Sequence, residues 1–191
     1  MRIPAIKLVN LTSLALVSSL YGATWVELGD ASDNPQIPQV TAGFGSLDQI
    51  QTTLDTAVDS DSFEFRILDA SSFSVNLLGT NLSADNDTEI YITDLSGNLI
   101  FSNDDFDGFL SGLSAGSFPG PAGSYVFSVN LFSSSPVGNP ITGFTINPSP
   151  AQTGPVVINF TGATFAVVPE LSSVLLGGVA FLGYVIQRRR K

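Results

Sequence analysis

Apolar and polar side chains alternate with period two through the middle of this chain. In residues 62–68, Phe63, Phe65 and Ile67 fall on one side and Glu64 and Arg66 on the other, which is the pattern of a strand with one face buried. Residues 73–78 repeat it with Phe73, Val75 and Leu77. Residues 88–93 are rich in β-branched and aromatic side chains, with Ile90 and Ile92 on the expected core face. Residues 94–98 read as a turn in which Gly97 supplies a positive φ, and residues 99–101 return from it to complete a hairpin. The plainest strand is 124–131, with Tyr125, Phe127, Val129 and Leu131 on one side. Strands over 143–146, 156–160 and 164–167 follow, separated by Pro148, Pro150, Pro155 and Gly162. Seven or eight short strands punctuated by Gly and Pro predict an all-β fold, an antiparallel β-sandwich. No helical period is sustained between Thr24 and Glu170.

Ahead of this pattern, residues 24–54 form a lead-in. Gly29, Pro35, Pro38, Gly43 and Gly45 interrupt it too often for a long helix, while Val40, Phe44, Leu47, Ile50 and Leu54 suit one or two edge strands. Its acids Glu27, Asp30 and Asp33 read as a solvated face.

Both ends carry apolar runs of a different kind. Arg2 and Lys7 precede an apolar stretch at 8–20, and small residues follow at Gly22 and Ala23. That order predicts a signal peptide over 1–23, cleaved near Ala23. At the other end Val168, Pro169 and Glu170 precede the uncharged run 171–186, which closes on Arg188, Arg189, Arg190 and Lys191. Pro169 disfavours helix in the residue before it, so a helix begins after it. As a helix the run reaches roughly 24 Å, short of a hydrocarbon core of about 30 Å by an amount that snorkelling arginines and local thinning make up. Four cations at its end keep that end cytoplasmic and place the preceding body outside.

The charge distribution sharpens this topology. Six of the seven Lys and Arg residues lie in these two ends, so between Thr24 and Glu170 Arg66 alone faces seventeen carboxylates, a net charge of −16. Such a body repels nucleic acid and anionic lipid and attracts divalent cations. With no cysteine there is no disulfide framework, and the core alone must hold the fold.

The tail of Val168, Pro169 and Glu170, an apolar helix and terminal arginines resembles the PEP-CTERM sorting signal of Gram-negative bacteria, with Leu171 where that family most often has a second proline. The resemblance covers residues 168–191. It implies recognition by an exosortase that cleaves near the Pro-Glu motif after a transient stay in the inner membrane, and delivery to the cell surface or the extracellular polysaccharide of a biofilm matrix. The body has a second resemblance. Asp59 to Phe65, Asp87 to Asp94 with Gly97 and Asn98, Asn103 to Asp105, and Ala122 to Tyr125 are similar in order and spacing to bacterial pre-peptidase C-terminal (PPC) domains. This implies a jelly-roll-like β-sandwich over 55–167, a module found on secreted proteins and sometimes binding calcium or polysaccharide.

Two readings stand for the acids of the middle loops. Asp85, Asp87, Asn103, Asp104, Asp105 and Asp107 offer the oxygen ligands that Ca²⁺ prefers, in two loops that a hairpin brings together. Equally, Asp and Asn form turns by bonding nearby amides. Asn103, Asp105, Asp107 and Gly108 match the opening of an EF-hand loop, but the twelfth position is Ser114 and the flanks are not helical, so an EF-hand is rejected. Catalysis is poorly supplied. Between Thr24 and Glu170 there is no His, Cys or Lys to act as base or activated nucleophile. The expectation is a non-enzymatic matrix or adhesive protein, with a calcium-dependent carbohydrate or surface binder as the alternative and an acidic glycosidase behind it.

Overall fold

The computed structural model describes residues 23–148 and 150–168. Thirteen strands follow in chain order: β1 (Ala23–Val26), β2 (Gln39–Val40), β3 (Leu47–Leu54), β4 (Ser60–Ile67), β5 (Ser74–Asn76), β6 (Thr88–Asp94) and β7 (Leu99–Asn103), then β8 (Gly112–Leu113), β9 (Gly123–Leu131), β10 (Ser134–Val137), β11 (Gly143–Ile146), β12 (Gly154–Thr161) and β13 (Ala163–Phe165). There is no helix among the described residues, and so none long and apolar enough to cross a membrane. The signal peptide predicted for 1–23, apart from Ala23, and the helix predicted for 171–186 lie outside them.

The strands form two main sheets in a sandwich-like arrangement. One has the order β1-β3-β12-β5-β8; the other has the order β13-β4-β9-β6-β7, with β2 added beside β4. A separate two-stranded ribbon, β10-β11, stands apart from both. The long central pairings are antiparallel: β4 with β9 over eight residues, β9 with β6 over seven, and β3 with β12 over six.

The expectation of a purely antiparallel sandwich needs correction, because the sheets are mixed. β1 runs parallel to β3 and β2 runs parallel to β4. The cause is the path of the lead-in. The chain leaves β1 in one sheet, crosses to the other as β2, and returns as β3 beside β1; a crossover of this length restores the original strand direction. The sequence suggested one or two edge strands in this segment, and it also supplies an interior one, since β3 lies between β1 and β12. Leu47, Ile50 and Leu54 are fully buried there.

A single apolar cluster joins the two main sheets. Phe65 of β4 stacks on Phe160 of β12 with ring centroids 5.1 Å apart, and on Phe73 at 5.8 Å. Phe127 of β9 meets Phe160 edge-on at 5.5 Å. Offset and edge-to-face packing of this kind adds to the burial of large aromatic areas. The C-terminal stretch is tied to the lead-in by backbone bonds from Gly43 N to Val167 O and from Val167 N to Thr41 O, both 3.0 Å. Val168, exposed, ends the described body.

Candidate metal centre

Side chains of one parity in β4 point into the sandwich. Phe63, Phe65 and Ile67 fill it, and Asp61 continues the same series toward the start of the strand. Its carboxyl group is therefore delivered inward by strand geometry, and the residue has no exposed surface. The same logic applies in β3, where Ile50 and Leu54 flank Thr52 on the inner face. In β1, Trp25 is half-buried between exposed Thr24 and Val26, and Glu27 follows with the same inward parity. Three polar side chains thus meet at one end of an otherwise apolar interior.

Their contacts are specific. Glu27 extends the pairing of β1 with β3 by donating its N–H to Gln51 O at 2.9 Å. Its Oε1 accepts from Ala31 N at 2.6 Å, and its Oε2 accepts from Thr52 Oγ1 at 2.8 Å and Thr53 N at 3.2 Å. Gln39 secures the following loop, accepting from Leu28 N at 2.9 Å and from the Trp25 indole at 3.1 Å while donating to Leu28 O. Thr52 Oγ1 also bonds Asp61 Oδ2, whereas Asp61 Oδ1 is buried without a partner. The carboxylates of Glu27, Asp30 and Asp61 lie within 4.8 Å of one another.

Electrostatics follow from the crowding. Burial pushes the Asp61 carboxyl up to about 9; the Thr52 hydroxyl opposes this, and the charges of Glu27, Asp59 and Asp30 add to it. Asp59 is pushed up to about 6, chiefly by burial, although Asp55 N donates to its Oδ2 at 2.6 Å and Ser60 N to its Oδ1 at 2.8 Å. Asp33 accepts from the same Ser60 N at 3.1 Å, drawing another acid toward the group.

The acids singled out from the sequence sit elsewhere. Asp85 is exposed and Asp87 half-buried in the connection from β5 to β6; Asn103 ends β7; Asp104, Asp105 and Asp107 occupy the loop to β8. The two loops do approach. Asp87 is pushed up to about 6 by burial first and then by the charges of Asp105, Asp104, Asp85 and Glu89. Asn103 is engaged locally, donating to Asp105 O at 3.1 Å and accepting from Gly112 N at 3.1 Å, and Asp107 bridges to Leu110 across the loop. Of the sorting residues, Val168 is exposed at the end of the described body, and Pro169, Glu170, Arg188, Arg189 and Arg190 lie outside the described residues.

In the sequence Glu27 and Asp30 read as a solvated face, and Asp61 falls outside the loops that offer Ca²⁺ ligands. A signal for Asp61 existed: it has the parity of Phe63, Phe65 and Ile67, so the alternation that predicts the strand also predicts a buried carboxyl group. Beside Glu27 runs an open groove lined by Val26, Gln51, Thr52, Thr53, Pro155, Val156 and Val157. No protein-family model matches the chain, and no curated protein matches it.

Proposed function

We propose that the chain is an exported, non-enzymatic β-sandwich protein. Its tail holds it in the inner membrane until an exosortase releases the body to the cell surface or the extracellular polysaccharide, where it serves as a structural or adhesive component. The observation that carries this reading is the segregation of charge: six of seven cations flank the two apolar end segments, and the body between them has net charge −16. That order matches secretion signal, body and sorting tail. The lack of His, Cys and Lys between Thr24 and Glu170 leaves few ways to activate a nucleophile. Expressing the chain with and without an exosortase, and comparing the mass and cell fraction of its C-terminal peptide, tests the reading. Shortening only with the enzyme is the expected result; an intact tail in both would overturn sorting.

A second reading is favoured by the groove beside Glu27. Gln51 and Thr53 present an amide and a hydroxyl group beside Glu27, with Pro155 and Val157 as an apolar wall. This combination suits a sugar, whose hydroxyls need polar partners and whose ring faces need apolar ones. Glycan-array binding that requires calcium would favour a carbohydrate-binding module over a purely structural one.

A further inference from the structure

We propose that Glu27, Asp30 and Asp61 bind one divalent cation, Ca²⁺ in preference to Mg²⁺, which fastens the edge of one sheet to the other. This goes beyond the export reading and does not depend on it. Clustered acids alone are ordinary on a surface this acidic, and three further features separate this group from the rest.

The first is convergence. Oxygens bound to one Ca²⁺ at 2.3–2.6 Å can be no more than about 5 Å apart, and the three carboxylates meet that limit at 4.8 Å. The second is an empty acceptor. Asp61 has no exposed surface, and its Oδ1 has no hydrogen-bond partner among the described residues; a buried acceptor of this kind calls for a ligand. The third concerns Thr52. Its hydroxyl lies in bonding range of both Glu27 Oε2 and Asp61 Oδ2, yet a hydroxyl has one proton to donate. Unless Asp61 keeps its own proton, one of the two carboxylates on this hydroxyl faces bare lone pairs. A cation among these oxygens satisfies all of them together.

Nothing else among the described residues supplies that positive charge. Arg66 is the only Lys or Arg there, and it sits five residues further along β4 with the opposite parity, about 17 Å away on the outer face. The donor set consists of oxygen alone, which suits a hard cation. It combines a buried carboxylate, a half-buried one and the exposed Asp30, leaving one side open to water. Ca²⁺ tolerates such an irregular shell, whereas Mg²⁺ demands a near-octahedral one and dehydrates reluctantly. Glu27 follows β1 in one sheet and Asp61 belongs to β4 in the other, so the ion would bridge the two layers where the lead-in enters.

The test uses the full-length chain in detergent. Trp25, the sole tryptophan, lies two residues before Glu27, so Tb³⁺ bound at the site should luminesce when the indole is excited. Expected are saturation by one equivalent of Tb³⁺, displacement by Ca²⁺ but not by equal Mg²⁺, and a calorimetric Ca²⁺ affinity on the order of 10⁻⁴–10⁻³ M, the range of extracellular modules. Asp61→Asn and Asp30→Asn should each weaken Ca²⁺ binding at least about tenfold, and Asp87→Asn should leave it unchanged. Asp30 is exposed, so its variant keeps the test sound even if Asp61→Asn disturbs folding. Absence of saturable Ca²⁺ binding, or binding that survives both Asp30→Asn and Asp61→Asn but falls with Asp87→Asn, would overturn the proposal.

Discussion

Replacing Asp61 with Asn should stabilise the metal-free protein, even though it removes a buried acid that Thr52 contacts. An unfolded Asp ionises near 3.8, while the folded Asp61 holds its proton up to about 9. Between those values the folded state binds one more proton than the unfolded chain, so raising the pH favours unfolding. At pH 7 the gap of roughly three pH units above 3.8 corresponds to about 4 kcal/mol. Asn is neutral at every pH and nearly the same shape. Its amide donates to Thr52 Oγ1, which frees the single hydroxyl proton for Glu27 Oε2. In EDTA at pH 7, Asp61→Asn should therefore raise Tm by roughly 10 °C, at about 2–4 °C per kcal/mol for a domain of this size. At pH 4 the two proteins should melt within a few degrees of each other. Adding Ca²⁺ at pH 7 should narrow the gap from the other side, because the parent binds it more tightly than the variant. Differential scanning calorimetry across pH 4–8, with EDTA or Ca²⁺, reads all of this. A metal-free variant that melts below its parent at pH 7, or a difference independent of pH, would refute the reasoning about a crowded, buried carboxyl group.

Other perturbations bear on separate parts of the molecule. Asp87→Asn should stabilise the protein at pH 7 by only about 1 kcal/mol, because this carboxyl, though pushed up to about 6, is largely open to solvent screening; the gain should shrink as pH falls toward 4 and should diminish in high salt, both visible in urea titrations. Phe160→Ala removes the ring on which Phe65, Phe73 and Phe127 pack and should cost about 3–5 kcal/mol; a loss under about 1 kcal/mol in denaturant melts would mean that the two sheets do not share this core. Gly162→Ala forces a side chain into φ +75° with its Cβ 3.0 Å from Ser72 Oγ and 3.3 Å from the Phe73 backbone, so a loss of about 1–2 kcal/mol is expected, and an unchanged midpoint would contradict the tight β12–β13 turn.

The alternation that runs from Phe63 to Phe160 made the core strands legible, because a half-buried strand must place every second side chain inside. The hairpin at Gly97 was legible for the same kind of local reason: Asp94 accepts from Ser96 N and Asn98 N and so folds the turn on itself. What the lead-in does was not legible. β1 has four residues and β2 two, and their parallel pairing depends on contacts with β3 and β4 that local propensity does not encode. Val40 and Phe44 read as strand-forming apolar positions yet remain exposed. Leu47, Ile50 and Leu54 shared their sequence context and were buried only because β3 inserts between β1 and β12.

The metal centre was illegible for a related reason, and the reason says something about what the site is for. Its members come from three elements separated in sequence, and each follows a rule that elsewhere in the chain places an apolar residue. Glu27 continues the inward side of Trp25, Thr52 stands between Ile50 and Leu54, and Asp61 heads the series Phe63, Phe65 and Ile67. A sequence selected for packing alone would put leucine or valine at all three, since a half-satisfied polar network is worse than an apolar core. Departures from a local rule gathered at one end of a sandwich, with one acceptor left open, are where function is to be sought. The same acids that destabilise the empty body make it responsive to cation, so the junction between lead-in and sandwich becomes firm only when positive charge, which the described body carries at Arg66 alone, is supplied from outside.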